Sequence, residues 1–139
     1  METTDNTQNS IFPRGERNSP DYFTGEAHLH MLIAPEQTDG YYSAGSVTFE
    51  PSARTNWHTH PSVQTLVVTE GEGWYQEHGK EAVKLEKGSV ILIPVGVEHW
   101  HGASKDSRLV HIAITNVKDG SAVTWGTPVT DKEYDLVNQ

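Results

Sequence analysis

Short segments of alternating hydrophobic and polar residues run through most of this 139-residue chain. In a β-strand such alternation sends successive side chains to opposite faces, so that one face can be buried. Turn signals rich in Gly, Pro, Asp and Ser separate the segments, which predicts an antiparallel sandwich or a small barrel. The predicted strands are 26–33, 42–49, 64–69, 73–77, 82–85, 89–93, 98–102, 109–116 and 122–125.

The two ends of the chain differ from this pattern. Residues 1–19 are polar and offer little to bury, so we expect a flexible arm ahead of a single domain at 20–139. Near the C-terminus, Thr130 and Glu133 have the spacing of a capping box, with Val129 and Tyr134 at the hydrophobic staple positions. The sequence therefore predicts one short helix of about two turns that packs on the β-structure.

Composition narrows the possible chemistry. The chain has no cysteine, so disulfides, thiolate metal sites and cysteine nucleophiles are excluded, and a metal would need nitrogen and oxygen ligands. The net charge of −9 disfavours nucleic acid and anionic membranes as partners. The first ten residues lack the basic and apolar regions of a signal peptide, and no apolar run is long enough to span a bilayer. We expect a cytoplasmic protein with a small-molecule substrate.

Five of the eight histidines fall in three strand-like places: His58 with His60, His99 with His101, and His111. Residues two apart in a strand share a face, so each pair can converge on one point. An isolated His-x-His is weak evidence for a metal site, and His28-Leu29-His30 has the same spacing. There the alternating apolar residues occupy the opposite face, so we expect His28 and His30 to point outward. His78, beside Gly79 in a turn, should be solvated.

The surroundings of the first two pairs form a longer pattern. His58-x-His60 is followed after three residues by Gln64 and after six more by Gly71. Further on, Gly88 precedes Pro94-x-Gly96, and His99 follows after two residues. These segments resemble, in order and spacing, the two sequence motifs of the cupins.

The resemblance implies a single all-β cupin domain, a double-stranded β-helix or jelly-roll barrel. It also implies that His58, His60, Gln64 and His99 bind a divalent metal. Three positions depart from the usual motifs: Gln64 replaces a glutamate, Ser52 a glycine and Ala103 an asparagine. Three imidazoles and an amide leave the charge of the ion uncompensated, which favours anionic or easily deprotonated ligands. Mn²⁺, Fe²⁺, Ni²⁺, Co²⁺ and Zn²⁺ all suit such a site.

Two further histidines should face the same cavity. His101 shares the face of His99, and His111 lies in the strand 109–116 on the face of the small residues Ala113 and Thr115. A histidine close to a dication but not bound to it should be neutral and able to accept a proton. The alternative is that His101 and His111 only support the metal ligands through hydrogen bonds.

The segments 21–25, 47–76, 97–103, 111–115 and 122–135 further resemble the manganese-dependent (R)-selective hydroxynitrile lyases among the small bacterial cupins. The resemblance implies Mn²⁺ as cofactor and His101 and His111 as catalytic residues, with His101 preferred as the base. The implied reaction is the reversible cleavage of (R)-cyanohydrins, such as mandelonitrile, to an aldehyde and hydrogen cyanide. By strand parity Gly45, Val47 and Thr115 should line the substrate pocket, and Thr115 replaces a glutamine of those enzymes.

Two other functions stay open at the level of the sequence: an oxygen-dependent dioxygenase or oxidoreductase, and a non-catalytic module that binds a small molecule. We expect the four tryptophans in the core or at a subunit interface rather than in the site. Trp57 and Trp100 are next to predicted metal ligands in the sequence, so strand alternation places their side chains on the opposite, outer face. There we expect them to pack against another subunit of a homo-oligomer. Cupins commonly form dimers, and a dimer or a tetramer is expected.

Overall fold

The computed structural model describes residues 10–139 of the chain. Its regular secondary structure is mostly β-strand, with one α-helix at the C-terminus, as the sequence predicts. A short 3₁₀ helix, Pro35–Thr38, was not predicted. The strands are β1 (Glu16–Arg17), β2 (Phe23–Thr24), β3 (Ala27–Ile33), β4 (Tyr42–Phe49), β5 (Arg54–Thr55), β6 (His58–Thr59), β7 (Gln64–Glu77), β8 (Val83–Glu86), β9 (Val90–Ile93), β10 (His99–Ala103), β11 (Leu109–Asn116) and β12 (Thr124–Trp125), and the helix is α1 (Asp131–Val137).

The strands form one antiparallel sheet that curls on itself, in the order β1-β3-β4-β11-β7-β10-β5-β2. The long strand β7 joins its two halves. The N-terminal part of β7 pairs with β11 and β9, and the C-terminal part pairs with β10 and β8. Strand β6 lies against β10 on one side and β12 on the other. This curvature brings the inward faces of β4, β6, β10 and β11 around one interior.

The prediction of two strands, 64–69 and 73–77, with a turn between them is wrong, because the single strand β7 runs through both without a break. Gly71 has a φ of +80°, a conformation that glycine adopts without strain. A Cβ at this position would collide with the carbonyl oxygen of Arg108, the residue just before the neighbouring strand β11. The glycine therefore marks a close approach of β7 to the segment that leads into β11. Nearby, the pairing of β7 with β11 shifts register between Val110 and His111.

The main core fills one part of the interior with aliphatic and aromatic side chains that are wholly inaccessible to solvent. Burial of one such side chain contributes about 1.5–3 kcal/mol to stability. The core therefore fixes the positions of the strands that carry the histidines. Its largest members are Phe49, Leu66, Leu85, Ile93 and Leu109.

The C-terminal helix α1 is capped as predicted and packs on the outside of the barrel. The Thr130 side chain accepts a hydrogen bond from the backbone of Glu133, and the Glu133 carboxylate accepts one from the backbone of Thr130. Tyr134 on this helix donates a hydrogen bond of 2.6 Å to the carbonyl of Ala103. Within residues 10–139 no helix is long and apolar enough to cross a membrane.

Beneath the helix lies a second apolar cluster that contains Trp57, Trp100, Val129 and Tyr134. The prediction that Trp57 and Trp100 point away from the interior agrees with this cluster. The suggested role at a subunit interface is wrong for Trp100, which its own chain covers completely. The reason is that the helix, whose docking position the sequence did not give, occupies that surface.

Within the predicted arm, residues 10–19 contact the barrel, and residues 1–9 lie outside the described part. Strand β1 pairs with β3, Ser10 donates a hydrogen bond to Glu70, and Arg14 forms an ion pair with Glu50 at 3.2 Å. The boundary of the domain at residue 20 stays a prediction.

Candidate metal centre

A cavity of about 240 Å³ opens into the interior of the barrel. None of the described residues that line it carries a carboxylate or a permanent positive charge, so its polar side-chain groups are imidazoles, hydroxyls, one amide and one indole. The lining residues are Phe23, Leu29, Met31, Ser43, Gly45, Val47, Phe49, Thr55, His58, His60, Gln64, His101, His111, Ala113, Thr115, Ala122, Val123 and Trp125.

Three histidines converge beside this cavity. His58 and His60 come from β6 and the residue after it, and His99 begins β10, where it pairs directly with His58. One ring nitrogen of each histidine lies within 4.8 Å of those of the other two. All three side chains are buried. Among residues 10–139 this is the one group of three His, Cys, Asp or Glu side chains arranged so that they could hold a metal ion.

Backbone carbonyls fix the ring orientation of all three histidines. The Nδ1 atoms of His58, His60 and His99 donate hydrogen bonds to the carbonyls of Asn56 (2.8 Å), Ala122 (2.7 Å) and Val97 (2.9 Å). A carbonyl oxygen only accepts hydrogen bonds, so each Nδ1 carries the proton and each Nε2 keeps its lone pair. Carbonyl partners of this kind orient metal-binding histidines in proteins.

The Nε2 atoms of His60 and His99 are buried and have no hydrogen-bond partner among the described residues. A buried polar atom without a partner costs free energy, and a bound cation would remove that cost. Burial lowers the pKa of His99 to about 4, and burial together with the neighbouring His99 lowers the pKa of His58 well below its usual value. Burial also lowers the pKa of His60. The three imidazoles are therefore neutral at pH 7, which is the form that binds a metal.

The predicted fourth ligand, Gln64, is the first residue of β7 and lies at the cavity with the histidines. Its Oε1 atom is buried and has no hydrogen-bond partner within residues 10–139. Its Nε2 atom donates a hydrogen bond of 2.7 Å to Oγ1 of Thr115. An amide oxygen with a free lone pair is a suitable ligand for a hard divalent ion. The donor set thus fits a divalent metal through three nitrogens and one oxygen.

His101 and His111 also line the cavity, as predicted, and contact each other. The Nδ1 atom of His101 and the Nε2 atom of His111 are 3.2 Å apart. The remaining ring nitrogen of each is buried and finds no hydrogen-bond partner in the described part of the chain. The ring of His101 also lies 5.4 Å from that of His58 and 5.8 Å from that of His99, between centroids. The pair therefore adjoins the three-histidine cluster.

Burial keeps both members of the pair neutral. It lowers the pKa of His111 to about 4, and burial together with His111 and His58 lowers the pKa of His101 well below its usual value. The sequence predicted low pKa values for these two histidines because of a nearby dication. Burial alone is a sufficient cause, because it disfavours the charged imidazolium. The chemistry available here is proton transfer by a neutral imidazole pair.

The other predicted pocket residues, Gly45 and Val47 on β4 and Thr115 on β11, lie in the cavity lining. The rejected histidines lie outside it. His28 is on the outer face of β3, but it is buried because the segment near Gly15 covers it, and its ring is hydrogen-bonded to Glu26. His78 is largely exposed and pairs with Glu98.

Three aromatic residues of the cavity were not identified from the sequence. Phe49 lies 5.3 Å from the ring of His111, and Trp125 lies 4.8 Å from that of His58 and 5.8 Å from that of Phe23. The prediction that every tryptophan belongs to the core or an interface is wrong for Trp125. Strand parity with Gly45 and Val47 would have found Phe49. The two-residue strands that carry Phe23 and Trp125 have no periodicity to use.

A larger groove of about 520 Å³ lies on the outside, between the helix and the hairpin of β7 and β8. It is lined by Trp57, Trp74 and other residues, none of which belongs to the histidine cluster, and within residues 10–139 no group of potential metal ligands converges there. The smaller interior cavity is therefore the candidate site.

Comparison with known proteins agrees with this geometry. Residues 45–115 match the model of the cupin domain. The chain is 44% identical over 115 residues, 82% of its length, to an (R)-mandelonitrile lyase from Granulicella tundricola, of which the match covers 86%. The chain belongs to the cupin family.

Solved structures give the same fold. A cupin-like protein from Thermotoga maritima is 44% identical and superimposes with a TM-score of 0.90, over 94% of this chain and 98% of that one. A predicted oxalate decarboxylase from Thermotoga maritima is 19% identical with a TM-score of 0.69, over 81% of this chain and 96% of that one. The second likeness concerns the fold alone.

Proposed function

We propose that the chain is a metal-dependent lyase that reversibly cleaves (R)-cyanohydrins such as mandelonitrile into an aldehyde and hydrogen cyanide. One observation carries the proposal: the neutral His101–His111 pair lies beside a three-histidine cluster in an uncharged cavity. The 44% identity to a protein named as an (R)-mandelonitrile lyase supports it. Cyanohydrin cleavage moves one proton and needs no oxidant, and a pair of this kind is suited to such a step.

His58, His60, Gln64 and His99 would hold the metal, with Mn²⁺ as the expected ion and Fe²⁺, Ni²⁺, Co²⁺ and Zn²⁺ as alternatives. When bound, a divalent ion supplies a Lewis acid that stabilises negative charge on the substrate oxygen. The backbone carbonyls of Asn56, Ala122 and Val97 keep the three imidazoles in the required tautomer. The uncharged donor set leaves the positive charge available to the substrate.

His101 would act as the base. If its Nδ1–H donates to Nε2 of His111, the Nε2 of His101 has a free lone pair that can accept the proton of the cyanohydrin hydroxyl. As that proton leaves, the carbon–oxygen bond becomes a carbonyl and the carbon–cyanide bond breaks, with its electron pair on cyanide. The protonated pair then returns the proton to cyanide, and hydrogen cyanide forms. A depressed pKa makes the imidazolium a good proton donor for this last step.

The cavity accounts for the class of substrate. Its volume of about 240 Å³ admits a small molecule, and Gly45, Val47 and Thr115 limit its size on one side. Phe23 and Trp125 give aromatic surface suited to an aryl group such as the phenyl ring of mandelonitrile. The cytoplasmic location and a homo-oligomeric state, dimer or tetramer, stay predictions.

The test is an assay of Mn²⁺-loaded protein with (R)-mandelonitrile, following benzaldehyde release in the presence and absence of oxygen. We expect equal rates in both and no oxygen uptake. His101→Ala should lower the rate about 100-fold. His78→Ala, a change at an exposed histidine, is the matched control and should leave the rate unaltered.

Two outcomes would contradict the proposal in different ways. Oxygen consumption during turnover would indicate the dioxygenase or oxidoreductase alternative. Saturable mandelonitrile binding without cleavage above the uncatalysed rate would indicate a non-catalytic binding module.

A further inference from the structure

Gln64 and Thr115 face each other across two neighbouring strands. They are direct partners in the antiparallel register of β7 and β11, and both line the cavity. Nε2 of Gln64 donates a hydrogen bond of 2.7 Å to Oγ1 of Thr115. The Gln64 side chain is 6% exposed, and its Oε1 atom has no partner among residues 10–139.

The two ends of the Gln64 amide are not equivalent for a metal. The oxygen carries two lone pairs, whereas the nitrogen carries two hydrogens and none to donate to a cation. An amide in which nitrogen and oxygen are exchanged would turn N–H groups toward the histidine cluster and lose the ligand. The orientation of this amide therefore decides whether Gln64 can contribute to the site.

In the structure the Thr115 hydroxyl acts as an acceptor for Nε2, and this is the role that an amide bound to a metal through its oxygen needs from its neighbour. With Nε2 bonded to the hydroxyl, Oε1 is left as the free end of the amide. This arrangement is specific to glutamine, because a glutamate has no hydrogen to donate and both of its oxygens are potential ligands. The hydroxyl of Thr115 thus supplies a hydrogen-bond acceptor for the amide NH₂ group, which a carboxylate would have no hydrogen to use.

We propose that Thr115 is a positioning residue that holds the Gln64 amide with its oxygen toward the metal. The inference rests on the ligand role of Gln64 in the proposed function. It gives Thr115 a task distinct from shaping the substrate pocket. Groups that orient a metal ligand in this way contribute measurably to affinity, and their loss commonly weakens binding 10-fold to 100-fold.

The test measures Mn²⁺ affinity by calorimetric titration of the full-length, metal-free protein and does not depend on catalysis. Thr115→Val keeps the shape of the side chain and removes the hydroxyl, so we expect about 10-fold weaker binding. Thr115→Ser restores the hydroxyl and should bind within about twofold of the wild type. Thr115 is only half-buried, and Thr115→Ala repeats the test without the added methyl group.

A double-variant comparison separates positioning from general damage. If Thr115 acts through Gln64, adding Thr115→Val to Gln64→Ala should not weaken Mn²⁺ binding further. An independent, additive loss would contradict the proposal, as would equal affinities of the wild type and Thr115→Val.

The outcomes also separate this inference from the proposed function. Mn²⁺ binding that depends on the Thr115 hydroxyl, without cyanohydrin cleavage, would overturn the proposed reaction alone. Unchanged Mn²⁺ binding by Thr115→Val in a protein that cleaves mandelonitrile would overturn the inference alone. A wild-type protein that binds no Mn²⁺ would overturn both.

Discussion

Nδ1 of His101 and Nε2 of His111 lie 3.2 Å apart on two strands that are not neighbours in the sheet. Strand β7 separates β10 from β11 in the strand order, so the contact exists only because the sheet curls around the cavity. Both rings are buried and both touch the ring of Phe49. The curvature of the barrel thus assembles a proton-transfer pair from distant positions of the fold.

Loss of the His111 imidazole should impair catalysis without affecting the metal site. His111→Phe fills the buried space but leaves Nδ1 of His101 without its partner. We expect the kcat for mandelonitrile to fall at least 10-fold with KM and Mn²⁺ affinity nearly unchanged, because the pair acts on the proton rather than on the metal. Steady-state kinetics and metal titration measure this. Unchanged kcat would argue that His111 only fills the core.

The same residue makes stability depend on pH. The folded pKa of His111 is lowered from 6.5 to about 4, so between these values the unfolded chain binds a proton that the folded chain does not. The neutral, buried His111 lowers the free energy of unfolding in acid. This destabilisation is absent above pH 6.5, grows as the pH falls below 6.5 and levels off near pH 4. We expect His111 to account for about 2 kcal/mol of the free energy of unfolding lost between pH 7 and pH 5.

Urea unfolding of metal-free wild type and His111→Phe at pH 7 and pH 5 checks this value. The loss on acidification should be smaller in the variant by about that amount. Equal losses in the two proteins would mean that the pKa of His111 is not depressed.

Ser52 stands where most cupins have glycine, and its backbone shows why glycine is usual there. Its φ is +73°, a left-handed conformation that costs an L-residue roughly 1 kcal/mol. Ser52→Gly should therefore raise the melting temperature slightly, by about 2 °C, since relief of strain outweighs the added freedom of the unfolded chain. Ser52→Ala, which also loses the hydroxyl but keeps the strain, should show no increase. A rise in both variants would point to the hydroxyl instead.

Metal binding should stabilise the fold through the three-histidine cluster. Mn²⁺ at about 100 times its dissociation constant should add about 2.7 kcal/mol to the free energy of unfolding. Thermal melts with Mn²⁺ and with a chelator measure the difference. His58→Ala removes a ligand and should abolish most of it, whereas His78→Ala should retain it. Equal stabilisation of His58→Ala and the wild type would place the ion elsewhere.

Much of the fold could be predicted because alternation is uninterrupted in the main strands. The predicted strands 42–49 and 109–116 have the same bounds as β4 and β11. The helix cap at Thr130 followed from local chemistry, which needs no tertiary contact to be recognised. Gly71 was interpreted as part of a turn, but glycine is also used where two backbone segments approach closely. Only the position of the neighbouring segment distinguishes these two uses.

Site residues that share a strand could be predicted from the sequence. Site residues that come together only through contacts between segments remote in sequence could not. Strand alternation predicted that His99 and His101 share one face and that His58 and His60 share one face. The resemblance to the cupin motifs identified Gln64. The carbonyl of Ala122 that orients His60, the ring of Trp125 beside His58 and the partner of the Gln64 amide all come from segments remote in sequence. No local pattern encodes such contacts. The roles assigned to these residues remain predictions.

The most direct measurement is a titration of metal-free protein with Mn²⁺ while benzaldehyde release from (R)-mandelonitrile is followed. If His58, His60, Gln64 and His99 hold the ion that the reaction needs, activity should start near the uncatalysed rate and rise in proportion to added Mn²⁺. It should saturate at one ion per chain. Full activity in the metal-free protein, or none at saturation, would contradict the proposed metal-dependent cleavage.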